Sequence, residues 1–417
     1  MQDTYLPRRI EARLRAMAGL FPCVVVGGAR QVGKSTLLRH VLGDQAKTFV
    51  FDPTQDVGGA RADPELFLRM NPPPLVLDEV QYAPELLAPL KRVVDERRGE
   101  RGLYFLTGSQ QLGVLRGVRE SLAGRAGLLD LYPMDRHEIE QVPGPGLLSA
   151  MLESADLDTL HDRLLATPHA PMSGLLTRLF RGGYPGLRSF PDDALPDWFD
   201  SYLRTYLERD VPAIRGIDEP RDFGRFLRLI AALTASEVND SQLGREIGVS
   251  PRTARAWLDV LSVSYQVLLL DPWSGNTLKR VSGRRKVHVM DTGLACHLLA
   301  ISSPAALNGH RSIGSLVETW VVTELLKQAQ GLAARPRFWH WRTSAGAEVD
   351  LLIERDGRFL PLEVKLKSRP TRLDARGLAA FASTYPDLRI GPRVIVHGGP
   401  DIQRLDEDTL AVPIECL

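Results

Sequence analysis

The stretch PCVVVGGARQVGKSTLLRHVL, residues 22–42, limits what this chain can fold into more than any other segment. An apolar run from Cys23 to Val26 passes through a glycine-rich turn into a helical pattern. The turn spells G-x-x-x-x-G-K-[ST] with Gly28, Gly33, Lys34 and Ser35. Glycines let successive backbone N–H groups close around a phosphate chain at a helix N-terminus. Lys34 is then the group that reaches the β and γ phosphates, and the Ser35 hydroxyl is a Mg²⁺ ligand. Gly28, Ala29, Arg30, Gln31, Val32, Gly33, Lys34, Ser35 and Thr36 are the expected ATP cradle.

Two further apolar strands support a parallel α/β sheet around that loop. PLVLDEV ends in Asp78 and Glu79. An aspartate at a buried strand end suits Mg²⁺, and the adjacent glutamate can polarise the attacking water. LYFLTGSQ places Thr107 and Ser109 at its C-terminal end, where open α/β sheets bind ligands. Either hydroxyl could sense the γ-phosphate, and Ser109 is the chosen candidate. A plain acidic strand end and a plain turn are the competing readings of these two segments, and the loop upstream favours the functional ones.

Composition bounds the rest. A chain of 417 residues with 44% hydrophobic content suggests two to four domains with ordinary cores. The formal net charge of +1 excludes a globally basic protein, so any nucleic-acid contact must come from local patches. Three scattered cysteines, Cys23, Cys296 and Cys416, have neither metal spacing nor a disulfide pattern, which fits a reducing cytoplasm. Charged residues near the start (Asp3, Arg8, Arg9, Glu11) argue against a secretory signal, and no apolar run approaches the ~18 residues of a bilayer span, so no membrane is expected.

GARQVGKST, LVLDEVQ, LTGSQ and SLAGR, in this order and spacing, resemble the AAA-type ATPases of bacteria and archaea that carry a C-terminal domain of unknown function. FRGGYPG (180–186), YLRTYLERDV (202–211) and MDTGLA (290–295) extend the likeness over nearly the whole chain. The resemblance implies ATP hydrolysis, a homo-oligomer in a ring or partial ring, and an arginine supplied to a neighbour's site. Arg125 in SLAGR is the matching arginine, with a salt-bridged surface residue as the alternative. Gln110 departs from the family's usual GSS at strand three.

From Met134 to about Arg215 the pattern is helical, as expected of a lid between modules. Residues 222–265 then read as an amphipathic helix followed by two short helices with Gly248-Val249-Ser250 between them, the helix-turn-helix spacing. QVLLLDPW and RKVHVMD follow as strands, with Lys279, Arg280, Arg284, Arg285 and Lys286 in or beside the connecting loop. Over residues 251–290 seven Lys/Arg face two Asp/Glu, a balance of +5. This is a winged-helix pattern with a basic wing. One reading sets Arg252, Thr253, Arg255 or Trp257 against a DNA duplex. The other makes the module a protein–protein joint; the surplus charge favours DNA.

The C-terminal third holds GAEVDLLIERDGRFLPLEVKLK (346–367), two strands joined at Asp356-Gly357, a favoured hairpin turn. Pairing Arg355 with Arg358 sets Asp350 opposite Glu363 and Glu348 opposite Lys365, all on one face. Val349, Leu351, Leu362, Val364 and Leu366 take the other. Opposed carboxylates repel. A divalent cation would relieve the repulsion, as would Asp350→Asn; a solvated face with a Glu348–Lys365 ion pair is the plainer alternative. Upstream, the apolar helix SIGSLVETWVVTELLKQAQ carries Glu318.

The order helix, three strands, helix, strand resembles the core of the restriction-endonuclease-like nucleases, and Glu318, Asp350 and Glu363-Val364-Lys365 match their acidic signature. That resemblance implies Mg²⁺ or Mn²⁺ on Asp350 and Glu363, with Lys365 orienting the nucleophile. The expected architecture is α/β: an AAA-type ATPase core (1–133), a helical lid (134–215), a winged helix (216–300) and a nuclease-like domain (301–417). The expected function is ATP-dependent DNA engagement with metal-dependent cleavage. The alternative is a nucleotide-gated regulatory or scaffold protein that binds DNA or a protein partner without cutting.

Overall fold

The computed structural model describes the chain except for residues 1–4, 109–121, 143, 168–173, 212–216, 218–219 and 277–282. Ser109, Gln110, Lys279 and Arg280 lie outside the described residues. The chain divides into two compact units. The first is residues 1–134 with 184–186 and 263–265; the second is 135–183, 187–262 and 266–417. The first break falls beside the expected end of the ATPase core. The expected lid, winged helix and C-terminal domain share the second unit.

In the first unit, β1 (Cys23–Gly27), β2 (Lys47–Val50), β3 (Leu75–Asp78), β4 (Tyr104–Gly108) and β5 (Ala126–Asp130) form a parallel sheet of order β2-β3-β4-β1-β5. Strands β1, β3 and β4 are buried along their whole length, which explains why each reads as an unbroken apolar run. Leu37 on the helix Lys34–Leu42 is buried, and Val25, Leu77, Leu86, Leu90 and Leu106 join one apolar cluster. All strands run the same way, so the chain ends of β1, β3 and β4 emerge together at one edge.

The second unit has a ten-stranded sheet among the described residues. Its strands are β6 (Ser236–Glu237), β7 (Val267–Pro272), β8 (Lys286–Val289), β9 (Arg337–Arg342), β10 (Glu348–Arg355), β11 (Arg358–Lys365), β12 (Arg389–Ile390), β13 (Arg393–His397), β14 (Gln403–Arg404) and β15 (Thr409–Pro413). The order is β14-β15-β13-β11-β10-β9-β7-β8-β6, with β12 beside β11. Parallel pairing of β7 with β9, Asp271 opposite Trp339, joins the two strands expected to flank a wing to the C-terminal strands in one sheet.

The two short helices and the turn between them lie where the sequence pattern sets them. Asn239 accepts from the N–H groups of Ser241 and Gln242 to cap the helix Asp240–Ile247. Gly248 turns at φ +86°, and Ser250 Oγ accepts from Thr253 N (3.0 Å) to cap the helix Pro251–Val263. Trp257 does not face outward. It is buried, with ring centroids 5.6 Å from Phe223 and 5.5 Å from Phe226, so it belongs to the module's core. Arg252 and Arg255 remain exposed.

Two motifs of the family resemblance meet in this unit. Asp291 of MDTGLA caps the helix Thr292–Leu298 through Leu294 N (3.0 Å) and accepts from Gly183 N of FRGGYPG (2.7 Å). A Cβ on Gly182 would lie 2.1 Å from Asp291 Oδ1, so the pair of motifs is a packing joint.

The hairpin keeps the predicted register from Leu351–Leu362 to Arg355–Arg358. Its other neighbour, β9, introduces a bulge between Val349 and Leu352. Val349 consequently packs in one cluster with Leu352, and with Leu378 and Phe381 of the helix Arg376–Thr384, rather than with Leu351. The strict alternation expected for this strand therefore fails at its first residues. Leu366 is exposed.

Candidate functional site

In the first unit the phosphate-binding residues assemble as their spacing predicts. Gly28 (φ +151°) and Gly33 (φ +94°) adopt left-handed backbone, and a Cβ on Gly28 would lie 2.3 Å from the Leu131 carbonyl. Only glycine suits that position. Gly33 is the N-cap of the helix Lys34–Leu42 and supplies no side-chain cap, so the first helical N–H groups face the loop free of one. Lys34 is buried and folds back, its Nζ donating to the carbonyls of Gly28 (3.0 Å) and Ala29 (2.9 Å).

Strand β4 lies between β1 and β3, and this order brings their ends into contact. Ser35 Oγ donates to Asp78 Oδ2 at 2.6 Å, and the Thr107 hydroxyl donates to Asp78 Oδ1. Thr107 Oγ1 also accepts from Glu79 N (3.2 Å). A hydroxyl and a carboxylate at this spacing fit Mg²⁺ beside a nucleotide. Thr107, rather than Ser109, is the described hydroxyl at this strand end. Glu79 holds φ +54°, a conformation that costs a non-glycine residue about 1 kcal/mol or more and that recurs at active sites. Its Oε2 accepts from Gln81 Nε2 at 2.5 Å.

Two residues of this region escaped sequence reasoning. Arg8 is buried, with Nη1 donating to the Val32 carbonyl (2.8 Å) and Nη2 to the Tyr132 carbonyl (2.7 Å), so it braces the phosphate loop against the end of β5. Tyr265 donates to Asp130 Oδ1 (2.6 Å) and occupies the space a Cβ on Gly27 would need. Neither contact has a local sequence signal, because each spans more than 20 residues.

Arg125 lies at the opposite edge of the sheet. Its carbonyl accepts from Cys23 N at the start of β1 (3.2 Å), and its guanidinium grips Asp95 at 2.5 and 3.0 Å. That pairing holds the Asp95 carboxyl below its ordinary range. At about 3.3 Å per strand residue, β1 separates Arg125 from the phosphate loop by about 17 Å.

The second unit brings together Glu318, Asp350 and Glu363, as the nuclease-like signature predicts, but with an unexpected partner. Lys286 of β8 reaches in between two of them. Its Nζ lies 2.5 Å from Glu318 Oε1 and 3.1 Å from Asp350 Oδ1. Asp350 Oδ2 accepts from Val364 N (3.0 Å), so both its oxygens are engaged. Glu363 Oε1 pairs with Lys365 Nζ at 2.6 Å, while its buried Oε2 has no hydrogen-bond partner. Burial, then the Asp350 charge, pushes both Glu318 and Glu363 up to about 8. The Lys286 ammonium, although buried, is raised, because the charges of Asp350 and Glu318 outweigh its desolvation.

This arrangement departs from two expectations and bears on a third. Lys286 belongs to the interior, not to a solvent-facing basic wing. Glu348 pairs with Arg342 (3.4 Å) rather than with Lys365. Beside Asp350, expected with Glu363 to hold a metal, stands the Lys286 ammonium; among the described residues no group of three or more His, Cys, Asp or Glu is placed to hold a metal. A cavity of about 620 Å³ opens in front of the centre, lined among others by Arg284, Lys286, Glu318, Arg342, Thr343 and Ser344.

Comparison with known proteins agrees with part of this picture. Residues 21–140 match the model of an AAA domain, and residues 172–305 and 313–417 match two domains of unknown function (DUF8612 and DUF4143). Uncharacterised proteins of Mycobacterium bovis and Mycobacterium tuberculosis are each 31% identical over 98% of this chain and 83% of their own length. Among solved structures, a Walker-type ATPase of Pyrococcus abyssi aligns at TM-score 0.43 and 18% identity, covering 72% of this chain and 97% of its own. The RuvB Holliday junction branch migration motor of Thermotoga maritima aligns at 0.30 and 13%, covering 63% and 89%. No helix of the described residues is long and apolar enough to cross a membrane.

Proposed function

We propose a function for a chain that belongs to the family of the two mycobacterial proteins and carries an AAA-type P-loop ATPase domain: ATP-dependent engagement of DNA by an oligomer. The observation that carries the ATPase part is the 2.6 Å contact between Ser35 Oγ and Asp78 Oδ2, which ties the phosphate loop to the acidic end of β3.

Backbone N–H groups from Gly28 to Thr36 bind the phosphates, and Lys34 exchanges its loop carbonyls for phosphate oxygens. Ser35 and Asp78 would hold Mg²⁺, which would supply neutralisation of the phosphate charge. Thr107 keeps the Asp78 carboxylate oriented, and Glu79 takes the proton side of the attacking water. Arg125, on the far edge of the sheet, serves a neighbouring subunit's phosphate rather than its own.

The DNA part rests on exposed Arg252 and Arg255 on the capped second helix of the helix-turn-helix, with exposed Arg284 after it. The C-terminal unit has a restriction-endonuclease-like core in this reading. The position of Lys286 between Glu318 and Asp350 favours the alternative in which that core binds without cutting.

Lys34→Ala is expected to lose nucleotide binding. Glu79→Gln should bind ATP yet hydrolyse it roughly 100-fold or more slowly, the usual scale for losing a positioned base. Equal ATPase rates for Glu79→Gln and wild type would remove Glu79 from the mechanism. Fluorescence anisotropy with labelled duplex tests the other half: Arg252→Ala and Arg255→Ala should weaken binding and flatten its salt dependence. Duplex affinity untouched by both substitutions would leave the protein–protein reading of this module.

A further inference from the structure

We propose that Lys286 is the resident cation of the C-terminal carboxylate centre: its ammonium takes the place between Glu318 and Asp350 that a divalent metal would need, and a nucleic-acid phosphodiester docks there without metal. The inference rests on the nuclease-like reading of these carboxylates and adds the identity of what neutralises them.

Four observations support it. The ammonium lies within ion-pair distance of both carboxylates, at 2.5 and 3.1 Å. It is not a swinging surface group, since the Lys286 side chain is only 9% exposed. Its backbone is fixed within the sheet, opposite Leu270 of β7 and Glu237 of β6, and β7 is itself paired to β9. The cation therefore comes from the wing strands, outside the hairpin, and is delivered by tertiary pairing.

Charge gives the third argument. Glu318, Asp350 and Glu363 contact two ammoniums, Lys286 and Lys365, which together carry the +2 of one divalent ion. A metal entering beside Lys286 would meet a like charge at short range and would find both Asp350 oxygens already engaged. The fourth is the cavity of about 620 Å³ onto which Lys286 opens, where Arg284 and Ser344 add a cation and a hydroxyl donor suited to phosphate, alongside Glu237 and the Arg342–Glu348 pair.

The test uses the full chain, free of nucleotide, titrated with Mn²⁺ while free Mn²⁺ is followed by electron paramagnetic resonance. Wild type and Asp350→Asn are expected to bind Mn²⁺ alike. Lys286→Met should gain one site per chain, at least tenfold tighter than anything in wild type, and the added change Asp350→Asn should abolish it. Lys286→Arg, which keeps the charge, should gain none. A wild-type site that Asp350→Asn removes would overturn the proposal, and this comparison does not depend on Lys286→Met folding. A folded Lys286→Met that gains nothing would overturn it equally.

Duplex affinity of wild type, measured by anisotropy with and without EDTA, should agree within twofold; binding that requires Mn²⁺ would overturn the proposal. Absence of duplex binding from wild type under both conditions would instead overturn the DNA reading and, with it, the docking clause, while the Mn²⁺ titration still decides the occupant.

Discussion

At the scale of single residues, Asp350 shows how a partner changes the sign of an expectation. Opposed carboxylates alone would repel, so Asp350→Asn should be harmless or stabilising. In the structure Asp350 holds the buried Lys286 ammonium and accepts the Val364 N–H. Removing one partner of a buried ion pair costs about 3–5 kcal/mol, and an asparagine that keeps an acceptor should fall near the lower figure. Asp350→Asn is therefore expected to lower stability by about 3 kcal/mol in denaturant unfolding. An unchanged midpoint would mean that Glu318 alone suffices to hold Lys286. The phosphate loop behaves oppositely. Gly28, Gly33, Lys34 and Ser35 sit where their spacing put them, because that chemistry is local and needs only one strand, one turn and one helix.

At the scale of elements, the position of a residue along a strand decides what it can reach. Arg125 precedes β5 and neighbours the start of β1, whereas the phosphate loop follows the end of β1. Parallel strands put these two points at opposite edges, so Arg125 cannot serve its own nucleotide. Arg125→Ala and Glu79→Gln should each be nearly inactive as ATPases, yet a mixture should regain activity at interfaces that pair an intact Arg125 with an intact Glu79. Full activity of Arg125→Ala alone would reduce the residue to its ion pair with Asp95. The hairpin adds a second lesson. Its turn and register were legible in Asp356-Gly357, but the bulge beside Val349 was not, since it arises from pairing with β9, which no residue within the hairpin announces.

At the scale of the molecule, β7 and β8 share one sheet with the C-terminal strands, and this makes the expected domain border after residue 300 a poor place to cut. A fragment of residues 302–417 would lose β7, leave β9 as an uncovered edge and strand Glu318 and Asp350 without Lys286. Such a fragment is expected to be unfolded or aggregated by circular dichroism, whereas residues 135–417 should fold. A cooperative melt from the shorter fragment would show that the shared sheet is dispensable.

The sequence by itself determined the ATP-binding half. Its glycines, lysine, serine and strand-end acids follow one another closely, so their geometry is set by short-range backbone preferences and strand burial. It also determined the turn at Gly248-Val249-Ser250 and the three acids of the C-terminal centre. Only the tertiary structure decided what those acids hold. Lys286 lies 32 residues before Glu318 and 64 before Asp350, and nothing in its neighbours distinguishes it from Arg284 and Arg285. Its burial follows from the order of strands in the sheet, a choice made by long-range pairing and packing. Charge neutralisation over that distance has no local signature, and for that reason a lysine counted with the wing proved to be the cation at the centre.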